Sequence, residues 1–401
     1  MIYFVIIFLL LLLSVHYDIN EKTKNKDIWY NTMLVVFILV AGLRWRIGLD
    51  TTNYLGAFYH EYPTLKHFSF EEYGIAQSPL YILINSLVKS LGGRFYVVQI
   101  IQAAFVNTLI FKYIKKHSPY IFTCLFFYAI SCYTTYNMET MRASMGVVVC
   151  FFANDYVLEK KWWKAYALFI IAFLFHAEVI VMFILPLFFF LRFNIIGILF
   201  LITSFFVGKI LASWLQDYLF LFEEAGTIQD KISSVTESDE WGVGSEGGLI
   251  YIVLLMVIPF VLVIFSLLYV KKHKPNSDLL KMEPFILIGF AFLLIQYNFL
   301  IAYRYVDIFK FYFIFYYSEL WVNITTRTKY LERSFSIART FVMFFPLLFS
   351  ILYPKYISKK SDGYRYIPYN TIFERKINEK QQLKFNEGET VEYYHINRNE
   401  Y

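Results

Sequence analysis

The run Met33-Leu34-Val35-Val36-Phe37-Ile38-Leu39-Val40-Ala41-Gly42-Leu43 gives way at once to Arg44-Trp45-Arg46-Ile47-Gly48-Leu49-Asp50-Thr51-Thr52-Asn53-Tyr54. The first part is continuously apolar, which is the pattern of a buried or membrane helix and not of an alternating strand. The second part brings two arginines, a glycine, an aspartate and a tyrosine into the lip of that helix. Three further charged places also lie beside apolar runs: Glu139 with Arg142, His176 with Glu178, and Arg304 with Asp307.

The totals decide what kind of helix this is. Of 401 residues, 58% are hydrophobic and only 17% are charged. A soluble chain of this size cannot hide so much apolar surface, so the composition is that of an integral membrane protein. Aromatic residues make up 21%, which suits lipid-facing Phe and interfacial Tyr. The runs are too long and continuous for a membrane β-barrel. The expected fold class is therefore an all-α polytopic integral membrane protein.

A span needs about 20 residues. The candidate spans are 1–16, 29–43, 95–111, 119–136, 141–158, 163–175, 177–191, 194–213, 249–270, 284–302, 305–323 and 338–353, about twelve transmembrane helices in all. The first run has no basic segment before it and no small-residue cleavage site, so it reads as a retained helix and not a signal peptide. Residues 1–353 form the expected membrane domain, and 354–401 a polar tail. That tail is expected to be partly disordered after about residue 380, with its Tyr364-Arg365-Tyr366-Ile367-Pro368-Tyr369 stretch open to docking back on the membrane face instead.

Lysine and arginine orient the spans. The short basic loops are 18–28, 112–118, 159–164, 271–282 and 324–337. All five can be cytoplasmic only if 79–91 is an interfacial or re-entrant helix. Its Asn85, Ser86 and Lys89 agree with that. Both termini, the loops 44–94 and 214–248, and all four charged places then face outside. The net charge of +6 hides this division, because 214–248 carries eight acidic residues against the single Lys231. The basic excess in short loops reads as topology, with no nucleic-acid partner implied. Within 214–248, the glycine-rich run 241–248 lacks the ending of a phosphate-binding P-loop and reads as a mobile loop over a site or a plain linker.

The charged places suggest chemistry. Arginine forks bind phosphate oxygens two at a time, and Gly48 and Asp50 allow a turn and a partner for Arg44 or Arg46. Arg142 at the start of an apolar helix must find a partner or line a cavity, and Glu139 is three residues away on the expected helical face. His176 stands at a break between apolar half-runs with Glu178 close by, so it can accept a proton or only donate a hydrogen bond. Arg304 lies between Tyr303 and Tyr305. Four arginines on one face favour an anionic lipid substrate. The three cysteines, Cys124, Cys132 and Cys150, have no metal or disulfide spacing and read as core residues. No metal-binding cluster or nucleotide motif is legible, so neither a bound metal, another cofactor nor ATP use is expected.

The combination resembles the EpsG family of bacterial polysaccharide polymerases, relatives of the Wzy O-antigen polymerases. The features are Arg46-Ile47-Gly48-Leu49-Asp50 with Tyr54, then Met141-Arg142-Ala143-Ser144-Met145, then Phe175-His176-Ala177-Glu178, then Tyr303-Arg304-Tyr305. Ala143 stands where the family usually has glutamine, and Glu178 where it has a small hydroxyl residue. The resemblance implies a GT-C-like membrane glycosyltransferase in the bacterial plasma membrane, with its active site outside. It also implies repeat-unit oligosaccharides on undecaprenyl diphosphate as substrate, and a flippase and chain-length regulator as neighbours in one pathway. Under it, Arg44, Arg46, Arg142 and Arg304 are candidates for the diphosphate, Asp50 and His176 for the general base, and Tyr54, Glu139, Glu178 and Tyr305 for sugar contact or orientation. Asp50 has a second possible role, orienting an arginine. Two other readings are a flippase of lipid-linked oligosaccharide and, behind it, a membrane O-acyltransferase using His176.

Overall fold

A computed structural model of the chain describes residues 2–48, 50–70, 78–218, 257–299, 302–327, 344–345, 348, 366 and 369–374. It is helical throughout, and among the described residues the one β-type pairing is an isolated bridge between Arg44 and Thr371. The chain divides into two compact units, one built from Met1–Pro186 with Leu352–Tyr401 and one from Leu187–Ile351.

In the first unit, α1 (Ile2–Leu13) continues into a wider helical turn at Ser14–Ile19, and α2 spans Lys26–Gly42. The short α3 (Thr51–Gly56) and α4 (Pro79–Ser90) follow. Then come α5 (Phe95–His117), α6 (Ile121–Ser131), α7 (Met141–Leu158) and α8 (Trp162–Phe175). The helix α1 shows why these are membrane elements. Tyr3, Ile6, Leu10 and Leu13 are buried at helical spacing, yet the opposite face carries exposed Phe4, Val5, Phe8 and Leu12. A helix apolar all round belongs in lipid or in a large core. Among the described residues, Ile2–Ile19, Phe95–His117 and Met141–Leu158 are long and apolar enough to cross a bilayer. The chain is an integral membrane protein. The helix α4 has 12 residues. At 1.5 Å per residue that is roughly 18 Å, short of a hydrocarbon core about 30 Å thick.

The basic loops gather at one end of this unit. Lys26 meets Asp18 at 3.3 Å, Lys115 meets Asp27 at 2.6 Å, and Lys116 meets Asp155 at 2.7 Å. Asp155 also takes Tyr113 Oη at 3.0 Å and His117 Nε2 at 2.9 Å. Because α2 leaves this end and α5 returns to it, Arg44 and Arg94 lie at the other end. The same counting puts the start of α7 and the finish of α8 there too. The helices α7 and α8 approach closely at Gly146, where a Cβ would come within 2.8 Å of the Ala172 carbonyl oxygen.

The second unit holds α9 (Ile195–Tyr218), α10 (Ile258–His273), α11 (Glu283–Gln296) and α12 (Tyr303–Arg327). Buried Glu283 is paired with Lys271 at 2.6 Å. Phe290 stacks on Phe313 at 4.7 Å between α11 and α12. The outer face of α9 carries exposed Ile195, Ile198, Leu199, Ile202 and Phe206, again a lipid-facing pattern.

The helices α1, α2 and α5 to α12 each fall on an expected span. The segment 177–191 differs. It forms tight 3-10 turns at Ala177–Phe183 and Leu185–Phe188 instead of an α-helix. Pro186 lacks the N–H that a helix interior needs, which disfavours a continuous α-helix there. The expected span 338–353, apart from residues 344, 345 and 348, and most of the loop 214–248 lie outside the described residues. The cysteines Cys124, Cys132 and Cys150 are buried and free.

Replacing Gly146 by Leu is expected to force α7 from α8 and to cost about 1–3 kcal/mol or more, as overpacking does. Fluorescence-detected gel filtration should show a smaller folded peak, against an unchanged peak if the helices do not pack through this glycine.

Candidate active site

The loop after α2 is fixed by its backbone. Gly48 sits at φ +97°, the left-handed region, and a Cβ there would run into the Met138 carbonyl oxygen. Only glycine has both the conformation and the space. Thr51 Oγ1 donates to the Ile47 carbonyl at 2.6 Å and lies 3.2 Å from the same Met138 oxygen. Met138 belongs to a wide helical turn, Thr135–Glu139, that precedes α7. That turn is itself held by polar groups on α5. Gln102 Nε2 donates to the Tyr136 carbonyl at 3.0 Å, and Asn107 Nδ2 donates to Asn137 Oδ1 at 2.7 Å. Buried amides paired in this way between helices are a stable device in lipid.

The lock sets Arg142 beside Tyr54. The guanidinium carbon of Arg142 lies 5.5 Å from the Tyr54 ring centre, a cation–π contact. Tyr54 in turn packs on Tyr81 with ring centres 5.7 Å apart, and Tyr81 on Tyr62 at 6.3 Å. Burial pushes the Tyr54 hydroxyl up to about 12, with Arg142 pulling the other way, so it stays a donor at neutral pH. Burial raises Tyr62 as well. Arg142 Nε is buried and has no hydrogen-bond partner, which leaves a donor unmet beside three tyrosines.

Tyr81 also leads to His176. Ser78 stands just before α4 and Tyr81 in its first turn, and Ser78 Oγ lies 3.4 Å from His176 Nδ1. On the other side of the ring, His176 Nε2 lies 3.2 Å from Glu178 Oε2. A carboxylate at Nε2 favours the tautomer with its proton there and leaves Nδ1 to accept. His176 is the extended residue where α8 ends, at φ −161° and ψ 126°. Ser78 stands at φ 65°, at the left-handed start of α4. Sequence reasoning passed over Ser78, because a serine before proline reads as an ordinary turn.

Arg44 and Arg46 part ways. Arg44 is fully buried, with its Nη1 on the Ala41 carbonyl and its Nε 3.3 Å from the Ile47 oxygen. Its Nη2 has no hydrogen-bond partner. Burial lowers its proton affinity, and the hydroxyls of Tyr133, Tyr3 and Tyr369 act in the opposite sense. The tail closes over it. Trp45 N donates to Asn370 O at 2.9 Å, Ile372 N to Leu43 O at 3.0 Å, and Tyr369 Oη to Val40 O at 2.8 Å. So at 369–374 the tail docks back on the rest of the chain. Arg46 is half-buried, at φ 49°, with its guanidinium 5.3 Å from the Trp45 ring centre. Asp50 caps the start of α3 by position, without a side-chain cap bond.

Glu139 does not share a helix with Arg142. It ends the wide turn, Thr140 breaks the helix at φ −101° and ψ 58°, and α7 begins at Met141. The same-face expectation for this pair is therefore corrected. Arg304 and Tyr305 belong to the second unit. Arg304 is exposed and lies 5.9 Å from the Tyr303 ring centre, while Tyr305 packs on Phe292 at 5.0 Å and Asp307 lies 3.9 Å from Lys310. Of the expected site residues, the first unit thus brings together Tyr54, Arg142, His176 and Glu178, with Arg44, Arg46 and Asp50 on the loop behind Tyr54.

At one end of the first unit this helical membrane protein gathers an arginine, tyrosines and a histidine paired with a carboxylate, groups suited to a polar substrate. The sequence profile of the EpsG family matches residues 27–371, and the chain belongs to that family of Wzy-like polysaccharide polymerases. No curated protein and no solved structure matches the chain.

Replacing Gly48 by Ala is expected to destabilise the protein by about 1–3 kcal/mol, the usual cost of a strained backbone position. The thermal midpoint of the detergent-solubilised protein should fall by several degrees. An unchanged midpoint would mean that the loop does not need the Met138 contact.

Proposed function

We propose that the protein polymerises oligosaccharide repeat units carried on undecaprenyl diphosphate, moving a glycan from one lipid diphosphate to the non-reducing end of another lipid-linked unit. The observation that carries this reading is Arg142, a cation with an unmet buried donor, held over Tyr54 at the end of the first unit where α8 also delivers His176. In the reaction the bond from the sugar to the diphosphate oxygen breaks, and the acceptor hydroxyl forms the new bond while losing its proton. The leaving diphosphate gains charge, so fixed cations lower the barrier most where water is excluded. Arg142 and Arg46 supply that charge. Arg44, buried under the tail, braces the loop and does not touch the substrate. His176, oriented by Glu178, takes the proton at Nδ1 in place of its long contact to Ser78. Asp50 is the other candidate base, or orients Arg46. Tyr54 and Glu139 contact or orient the sugar.

This reading carries with it about twelve spans in a GT-C-like architecture, seated in the bacterial plasma membrane. The site faces the exterior, because the basic loops gather at the opposite end of the first unit and positive loops stay in the cytoplasm. The same distribution disfavours a flippase, which needs polar groups along a path through mid-membrane.

Arg142→Ala and His176→Ala are each expected to cut surface polymer by about 100-fold or more, the scale of losing one group that stabilises transition-state charge. The protein level in the membrane should hold, and Val5→Ala, on the lipid face, should leave polymer unchanged. Immunoblots of surface glycan would read this, with single repeat units accumulating outside the membrane. Units accumulating inside would indicate a flippase, and unchanged polymer in both variants would displace the site.

A further inference from the structure

The tail at 369–374 is tied to one short stretch of the first unit, the residues just after α2. Arg44 and Thr371 face each other across an antiparallel bridge. On one side of it Trp45 N donates to Asn370 O at 2.9 Å, and on the other Ile372 N donates to Leu43 O at 3.0 Å. Tyr369 adds two anchors. Its hydroxyl donates to the Val40 carbonyl at 2.8 Å, and its ring meets that of Tyr3 edge-on with centres 5.8 Å apart. Main chain pairing with main chain is how an extended segment adds to an edge. Pairing around a single bridge is short, and short pairings open without the helices around them unfolding.

What lies beneath opposes the docking. Arg44 is fully buried there, and its Nη2 has no hydrogen-bond partner. Among the described residues it forms no ion pair. A buried charge without a counter-ion is costly, and an unmet donor adds to the cost. Undocking returns water to the guanidinium. The docked state is therefore a balance between the pairing and the enclosure of Arg44. The stretch so covered leads directly to the candidate site: Gly48 follows against Met138, and Tyr54 lies beyond it under Arg142.

We infer that residues 369–374 are a releasable strap. Docked, they hold the loop that places Tyr54 against Arg142; undocked, they wet Arg44 and let that loop move. The consequence for activity rests on the reaction proposed above, whereas the strap is a property of the fold.

The test reads backbone deuterium exchange by mass spectrometry on the full chain in detergent, beside two variants. Ile372→Pro deletes the N–H that bonds Leu43 O. The second variant ends the chain at Ser361. In both, exchange at 43–46 and 51–56 is expected to rise about tenfold or more, with α7 and α8 still protected. Phe373→Ala, at a side chain 78% exposed, should change nothing. A synthetic peptide of residues 362–378 should restore protection to the shortened chain. Unchanged exchange at 51–56 in both variants would overturn the inference, and so would a peptide that restores nothing. Surface polymer is measured separately in cells, where both variants should make about tenfold less. Exchange that rises while polymer holds would support the strap and count against the proposed site.

Discussion

The Met138 carbonyl is the point on which the candidate site depends. Gly48 passes against it so closely that no Cβ fits, and Thr51 closes on it at 3.2 Å. That single contact ties the loop after α2 to the turn before α7, two places ninety residues apart in the chain. It fixes where Tyr54 stands, and so what covers Arg142. The turn can offer its carbonyl because Gln102 and Asn107 on α5 hold the rest of it. A buried backbone carbonyl without a partner costs several kcal/mol, so such contacts form fully.

A second consequence concerns charge. Arginine near lipid is expensive, and the chain handles it in different ways. Arg44 is sunk among backbone carbonyls and tyrosine hydroxyls under the returning tail. Arg142 lies on a tyrosine face with one donor unmet. The first arrangement is structural, since the guanidinium is enclosed. The second leaves binding capacity in place, where low dielectric makes a cation most effective toward developing negative charge. His176 follows the same logic, with one ring nitrogen committed to Glu178 and the other facing a hydroxyl.

Much of this was legible in the sequence. Continuous apolar runs marked the helices, because a span in lipid has to be apolar over its whole length. Arg142, His176 and the Arg46–Asp50 motif stood out as charges that such helices would not carry without a reason. The fate of Arg44 was not legible. A buried arginine and one that snorkels look the same at a helix end, and the tail that encloses this one comes from more than 300 residues away. Ser78 was missed for a similar reason: a polar residue gains meaning only from what it faces. Glu139 was misjudged because helical spacing was assumed across Thr140, where the backbone breaks. The 3-10 turns after His176 were read as a span from their apolar composition, which does not distinguish a tight turn from an α-helix.

The most direct test of the account is the side of the membrane on which the clustered residues lie. The natural cysteines are buried, so a single introduced cysteine can be labelled above a low background. Asn53 is exposed beside Tyr54, and Lys24 is exposed in the first basic loop. With a membrane-impermeant maleimide on intact cells, Asn53→Cys should label, and Lys24→Cys should label only after permeabilisation. The reverse pattern would put the site in the cytoplasm and contradict the account.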